Sequence, residues 1–142
     1  SLSAQNSPFN DDNDSKSTNI IREDIPEVFK DFLSRFTVPI SKARLAKLTT
    51  KGYLPPHIDI GYENITRIHW PLQTNEKSYW YWYENNKKSE TLKLKTGQGY
   101  VMNTNIMHSV QNKDTIDRIH LIVNVNMSYD KLRSSKCQLL KI

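Results

Sequence analysis

Arg118-Ile119-His120-Leu121-Ile122-Val123-Asn124-Val125 is the stretch whose reading decides the fold. In an extended chain successive side chains point to opposite faces. Ile119, Leu121, Val123 and Val125 therefore share one face, and Arg118, His120, Ile122 and Asn124 share the other. In an ordinary sandwich the second face would meet solvent. A jelly roll that encloses a polar site reverses this for one sheet: the apolar face packs outward under a helix, and the polar face lines a cavity. Ile65-Thr66-Arg67-Ile68-His69-Trp70 divides in the same way, with Arg67 and His69 against Thr66, Ile68 and Trp70. Two strands, each offering an Arg and a His two residues apart, bring cationic and hydrogen-bonding groups into one cavity.

The rest of the chain between about 42 and 126 reads as strands and turns. Residues 79–83 and 91–94 alternate, and turn signals stand at Lys51-Gly52, Pro55-Pro56, Asn85-Asn86, Gly97-Gln98-Gly99 and Asn112-Lys113-Asp114. The cover is supplied by 25–36, where Ile25, Val28, Phe29, Phe32, Leu33 and Phe36 recur at helical spacing. Pro26 fits a first turn, and Pro39 is expected to end that helix. A weaker helical candidate lies at 129–132. The expected architecture is mainly β, a double-stranded β-helix or cupin-like jelly roll with one or two covering helices. Residues 1–19, rich in Ser, Asn and Asp, read as a disordered arm, and 20–142 as a single domain.

With 142 residues the chain suits one core. No run approaches the roughly 18 apolar residues of a membrane span, so no membrane is expected as a partner. No charged segment followed by an apolar stretch opens the chain, so a secretory signal is not expected. Cys137 is the single cysteine, which excludes an internal disulfide framework and a thiolate zinc site and makes a reducing cytoplasm the expected setting. The formal net charge of +5 raises the question of nucleic acid. The lysines are scattered, with only Lys87-Lys88 and the set Lys131, Arg133, Lys136 and Lys141 loosely grouped, so nucleic acid is not the expected partner.

The chemistry is carried by His57-Ile58-Asp59, by His108 about fifty residues later, and by Arg118 ten residues after that. Two imidazoles and one carboxylate are the ligand set of a facial triad that binds Fe(II) and leaves positions open. On an extended segment the i, i+2 spacing points His57 and Asp59 to one face. The guanidinium of Arg118 is a planar fork that pairs with a carboxylate through two hydrogen bonds.

This pattern resembles the Fe(II)- and 2-oxoglutarate-dependent dioxygenases. Residues 44–126 are similar, more closely, to the aspartyl/asparaginyl β-hydroxylase family, whose members also include hydroxylases of free proline. The resemblance rests on His57-Ile58-Asp59, Arg67-Ile68-His69-Trp70-Pro71-Leu72, Gly97-Gln98-Gly99-Tyr100-Val101-Met102-Asn103, His108-Ser109-Val110-Gln111-Asn112 and Asp117-Arg118-Ile119-His120-Leu121-Ile122-Val123. It implies that His57, Asp59 and His108 hold iron, that Arg118 binds the distal carboxylate of 2-oxoglutarate, and that Arg67 and His69 lie near this cosubstrate. It also implies that O2 is consumed, with ascorbate as reductant in vitro. The products would be succinate, carbon dioxide and a hydroxylated amino acid: proline, aspartate or asparagine, free or in a peptide or protein. The animal members have glycine at the position of Asp59, which sets this chain nearer the free-amino-acid hydroxylases. Ala46 stands where the family has a cosubstrate-binding serine.

Blander readings stand beside these. Arg118 could pair with Asp117 or another acid, and Arg67 and His69 could be a hydrogen-bonded polar lining. His120 reads as a structural hydrogen-bonding residue, and the aromatic run at 79–83 as strand packing. The alternative to an enzyme is a non-catalytic cupin-like metal-binding module.

Overall fold

The protein is described by a computed structural model over residues 24–59, 65–127 and 136–140. The arm expected at 1–19 and the helical candidate at 129–132 lie outside the described residues. Among the described residues one helix, α1 (Glu27–Ser34), precedes nine strands: β1 (Ile40–Leu48), β2 (Tyr53–His57), β3 (Thr66–Gln73), β4 (Ser78–Glu84), β5 (Lys87–Leu92), β6 (Gly99–Met102), β7 (His108–Asn112), β8 (Arg118–Val125) and β9 (Cys137–Leu140). They form a five-stranded sheet in the order β1-β8-β3-β6-β9 and a four-stranded sheet in the order β2-β7-β4-β5. All neighbouring strands are antiparallel.

The two faces read from β8 are the two faces of the large sheet. Leu121, Val123 and Val125 join Ala43 of β1, Ile68 and Trp70 of β3 and Val101 of β6 in one apolar cluster that also takes in Ile25 and Leu33. The helix covers it. Pro26, with φ −54°, sets the first turn, and its carbonyl accepts the Phe29 N–H at 2.9 Å. Phe29, Phe32, Leu33 and Phe36 follow i, i+3, i+4, i+7 and turn to the sheet. Phe32 and Phe36 meet the Trp70 ring edge-on, with centroids at 4.9 and 5.7 Å. Gly99 passes beneath the same indole so closely that a Cβ there would lie 2.7 Å from the ring.

The second cluster lies between the sheets, where Trp80, Trp82 and Val110 of the small sheet pack with Tyr100 and Met102 of the large one and with Leu94. The aromatic run thus divides by face. Trp80 and Trp82 point inward, while Tyr79 and Tyr81 stack on the other side beneath lysines, Lys88 lying 3.8 Å above the Tyr81 ring.

Several expectations change in detail. The helix spans Glu27–Ser34 rather than 25–36 and stops well before Pro39; Val28, outside the apolar stripe, is 69% exposed. Pro55-Pro56 is no turn but part of β2. That strand is an edge of its sheet and its register shifts between Leu54 and His57, the setting in which a residue without an N–H can sit in a strand. The strand expected at 91–94 starts earlier, as β5, because Asn85 and Asn86 (φ 49° and 60°) make a two-residue hairpin turn that begins pairing at Lys87. Among the described residues no helix is long and apolar enough to cross a membrane.

Candidate metal centre and anion-binding cavity

His57 ends β2 and His108 begins β7, and the two are register partners across the ladder, with ring centroids 4.4 Å apart. Their shared orientation has a local cause. His57 Nδ1 lies 2.7 Å from the Pro55 carbonyl and His108 Nδ1 lies 2.8 Å from the Ile106 carbonyl. A carbonyl can only accept, so each Nδ1 carries a proton, and in the neutral ring each Nε2 presents a lone pair. That is the tautomer a metal ligand needs, with the second nitrogen anchored to the backbone.

Asp59 completes the group, although it lies past the end of β2. Its position is set less by the pleat than by its N–H, which donates to the Thr104 carbonyl at 3.0 Å. Its Oδ1 is 3.3 Å from His57 Nε2 and 4.0 Å from His108 Nε2. Its Oδ2 accepts a hydrogen bond from Arg67 Nη1, and Arg67 Nε donates to Asn124 Oδ1 at 3.1 Å. One carboxylate oxygen thus faces the histidines while the other is held by a guanidinium. The three ligand atoms lie within 4.8 Å of one another, so the group can hold a metal ion through two nitrogens and one oxygen.

The protonation states follow from these contacts. Burial pushes the Asp59 carboxyl up, but its hydrogen bond with His57 and the Arg67 charge outweigh that and leave it below its ordinary value. His57 is raised, chiefly because its protonated Nε2 hydrogen-bonds to Asp59, a bond the neutral ring cannot make. His108, 2% exposed, is lowered by burial to about 4.

The triad sits on a cavity of about 430 Å³, within the range of small-molecule sites. Arg118, Arg67 and His69 line it as well, so all six residues singled out from the sequence meet there. Arg118 opens β8 and is 8% exposed. Asp117 does not pair with it: that carboxylate lies 3.5 Å from Lys47 Nζ and accepts the Thr50 N–H at 3.0 Å. Among the described residues no carboxylate reaches Arg118, and its Nε has no hydrogen-bond partner. Burial lowers its pKa to about 10, which leaves it cationic at neutral pH.

His69 contacts the His120 ring through an Nδ1···Nδ1 approach of 3.3 Å, and His120 is fully buried. Burial lowers both below the ordinary histidine value, His120 to about 2 with help from the Arg118 charge, so both are neutral.

Sequence reasoning missed three features. Arg44 of β1 also lines the cavity; the cue was the alternation Lys42, Arg44, Ala46, Leu48 against Ala43 and Leu45 on a strand paired with β8. Trp80 is a wall of the site, stacked flat on His108 at 4.6 Å and 9°. Arg67 bonds to Asp59, a contact with no sequence signal. Ala46 lines the cavity as expected and offers only a methyl group. With Arg44, Lys47, Arg67 and Arg118 against the one carboxylate of Asp59, the lining favours an anionic ligand.

A comparison with protein families finds that the aspartyl/asparaginyl beta-hydroxylase model matches residues 12–127. No curated protein matches the chain.

Proposed function

The chain belongs to the aspartyl/asparaginyl β-hydroxylase family, and from that premise we propose that it is an Fe(II)- and 2-oxoglutarate-dependent hydroxylase of an amino acid. The observation that carries this reading is Arg118: a buried guanidinium without an acidic partner among the described residues, on the wall of the cavity that also holds the His57, Asp59 and His108 group. A structural metal site has no use for such a group, whereas an uncompensated buried cation is costly unless an anion joins it.

In this reading His57, Asp59 and His108 hold the iron, which supplies the activation of O2 for hydroxylation coupled to decarboxylation of 2-oxoglutarate. Arg118 pairs with the distal carboxylate of the cosubstrate, and His69 donates to it nearby. Arg67 positions Asp59, holding Oδ2 so that Oδ1 stays turned to the imidazoles. Trp80, stacked on His108, keeps water from that side of the ligand. The two sheets form a double-stranded β-helix whose polar inner face is the reaction chamber, in one domain over 20–142. Proline, aspartate and asparagine, free or peptide-borne, are the substrate candidates, and the single Cys137 favours a reducing cytoplasm.

The test is succinate release from 2-oxoglutarate with Fe(II), O2 and ascorbate over a panel of amino acids and peptides, read with a one-oxygen mass gain of the substrate. Metal binding without succinate release across the panel would favour the non-catalytic cupin-like module.

A further inference from the structure

Beside the large cavity lies a second one of about 10 Å³, and Arg118 and Trp80 line both. His120, Ser78 and Thr74 are also on its wall. Its volume is about the room of one water molecule. Three residues of this wall each carry a buried nitrogen without a partner among the described residues: Trp80 at Nε1, Arg118 at Nε and His120 at Nε2. Such groups are costly to leave unsatisfied, and a buried water commonly makes about three hydrogen bonds to them.

We propose that this small cavity is a single-water site joining Arg118, Trp80 and His120, and that through it His120 is a positioning residue that sets the tautomer of His69. Which groups can donate decides the arrangement. The indole N–H and the guanidinium N–H can only donate, so they take the two acceptor sites of the water. The water then donates to the third nitrogen, His120 Nε2. The opposite tautomer would aim three donors at a water with two acceptor sites. His120 with a bare Nε2 carries its proton on Nδ1, which lies 3.3 Å from His69 Nδ1. Two neutral imidazoles facing through these atoms share one proton, so His69 accepts at Nδ1 and carries its own proton on Nε2. His69 lines the large cavity, and it therefore offers a ligand an N–H rather than a lone pair.

The use of that N–H toward a carboxylate rests on the proposed cosubstrate site; the water and the tautomers do not. Two measurements separate them. Long-range 1H–15N correlation on the full chain at neutral pH is expected to show His120 protonated at Nδ1 and His69 at Nε2, and a crystal structure is expected to show one ordered water within hydrogen-bond reach of Trp80, Arg118 and His120. Reversed tautomers or a dry cavity would overturn the proposal, whatever the protein's activity. The second measurement is 2-oxoglutarate affinity. His120→Leu removes the donor to His69 and is expected to weaken binding about tenfold, while His120→Asn, whose amide N–H can replace Nδ1–H, recovers most of it. Equal loss in both variants, or loss in neither, would reduce His120 to packing. If the wild type binds no 2-oxoglutarate, the proposed function fails and the tautomers still decide this proposal.

Discussion

The two ends of the large cavity differ in how their polar groups are satisfied. At the metal end, every first contact is made within the protein: Pro55 and Ile106 hold the two Nδ1 atoms, Thr104 holds the Asp59 backbone, and Arg67 holds Oδ2. At the other end, among the described residues, His69 Nε2 is buried without a hydrogen-bond partner and Arg118 meets no carboxylate. Since buried polar groups are nearly always paired, the first end suits a group that aims ligand atoms, and under the proposed function the second end is paired by a ligand. The inner face of the large sheet reaches both ends, because Arg67 of β3 bonds to Asp59 while His69 of β3 and Arg118 of β8 line the other end.

The largest expected effect is at the metal end. His108→Ala removes a buried ligand with a fixed tautomer, and iron binding and turnover should both be abolished while the circular dichroism spectrum stays that of a β protein. Wild-type iron content in that variant would remove His108 from the ligand set. Arg118→Lys should act only at the other end. It keeps the charge and loses the fork, so the apparent KM for 2-oxoglutarate should rise about ten- to hundredfold with iron affinity nearly constant. Iron loss without a change in cosubstrate dependence would make Arg118 structural and erase the contrast.

Arg67 tests whether the first end depends on its inner support. Arg67→Met leaves Asp59 Oδ2 unpaired, and metal affinity should fall about tenfold, as for other groups that orient a ligand from behind. Asp59→Gly removes the anionic ligand itself and should weaken iron retention more. If the two variants retain iron equally well, Asp59 only supports the histidines.

The smallest effect is on stability without metal. His69, His108 and His120 have depressed folded pKa values, whereas the unfolded chain titrates near 6.5. Below that pH the unfolded state binds protons that the folded state refuses. Stability is therefore lost as pH falls, by up to about 1.4 kcal/mol per pH unit for each of these histidines. His57, raised by Asp59, contributes in the opposite sense and offsets part of this. Urea midpoints at pH 7 and pH 5.5 measure the sum, and a midpoint unmoved or higher at pH 5.5 would mean that these rings are not held neutral.

What the sequence revealed and what it hid follow from the range of the interactions. The division of β3 and β8 into two faces was legible, because alternation is a property of neighbouring residues and the covering helix repeats the apolar message at its own period. So was the grouping of His57, Asp59 and His108, with Arg118 on the same cavity, through their types and spacing. The strand through Pro55-Pro56 was hidden, since only its edge position and bulge make prolines acceptable there. The Arg67 bond to Asp59 and the flat stack of Trp80 on His108 join separate strands or loops, and no local pattern marks them. Arg44 lay between these cases: its alternation was present but became informative only once β1 was seen beside β8.

Under the proposed function the end of the cavity lined by Arg118 and His69 seats the distal carboxylate of 2-oxoglutarate. Calorimetric titration of the metal-loaded protein with 2-oxoglutarate and with 2-oxopentanoate, which carries a methyl group in place of that carboxylate, tests it most directly. The expected result is a preference for 2-oxoglutarate of at least about tenfold in the wild type, as one charge-assisted pair would give, and a much smaller preference in Arg118→Lys. Equal affinity of the wild type for the two acids would contradict the account.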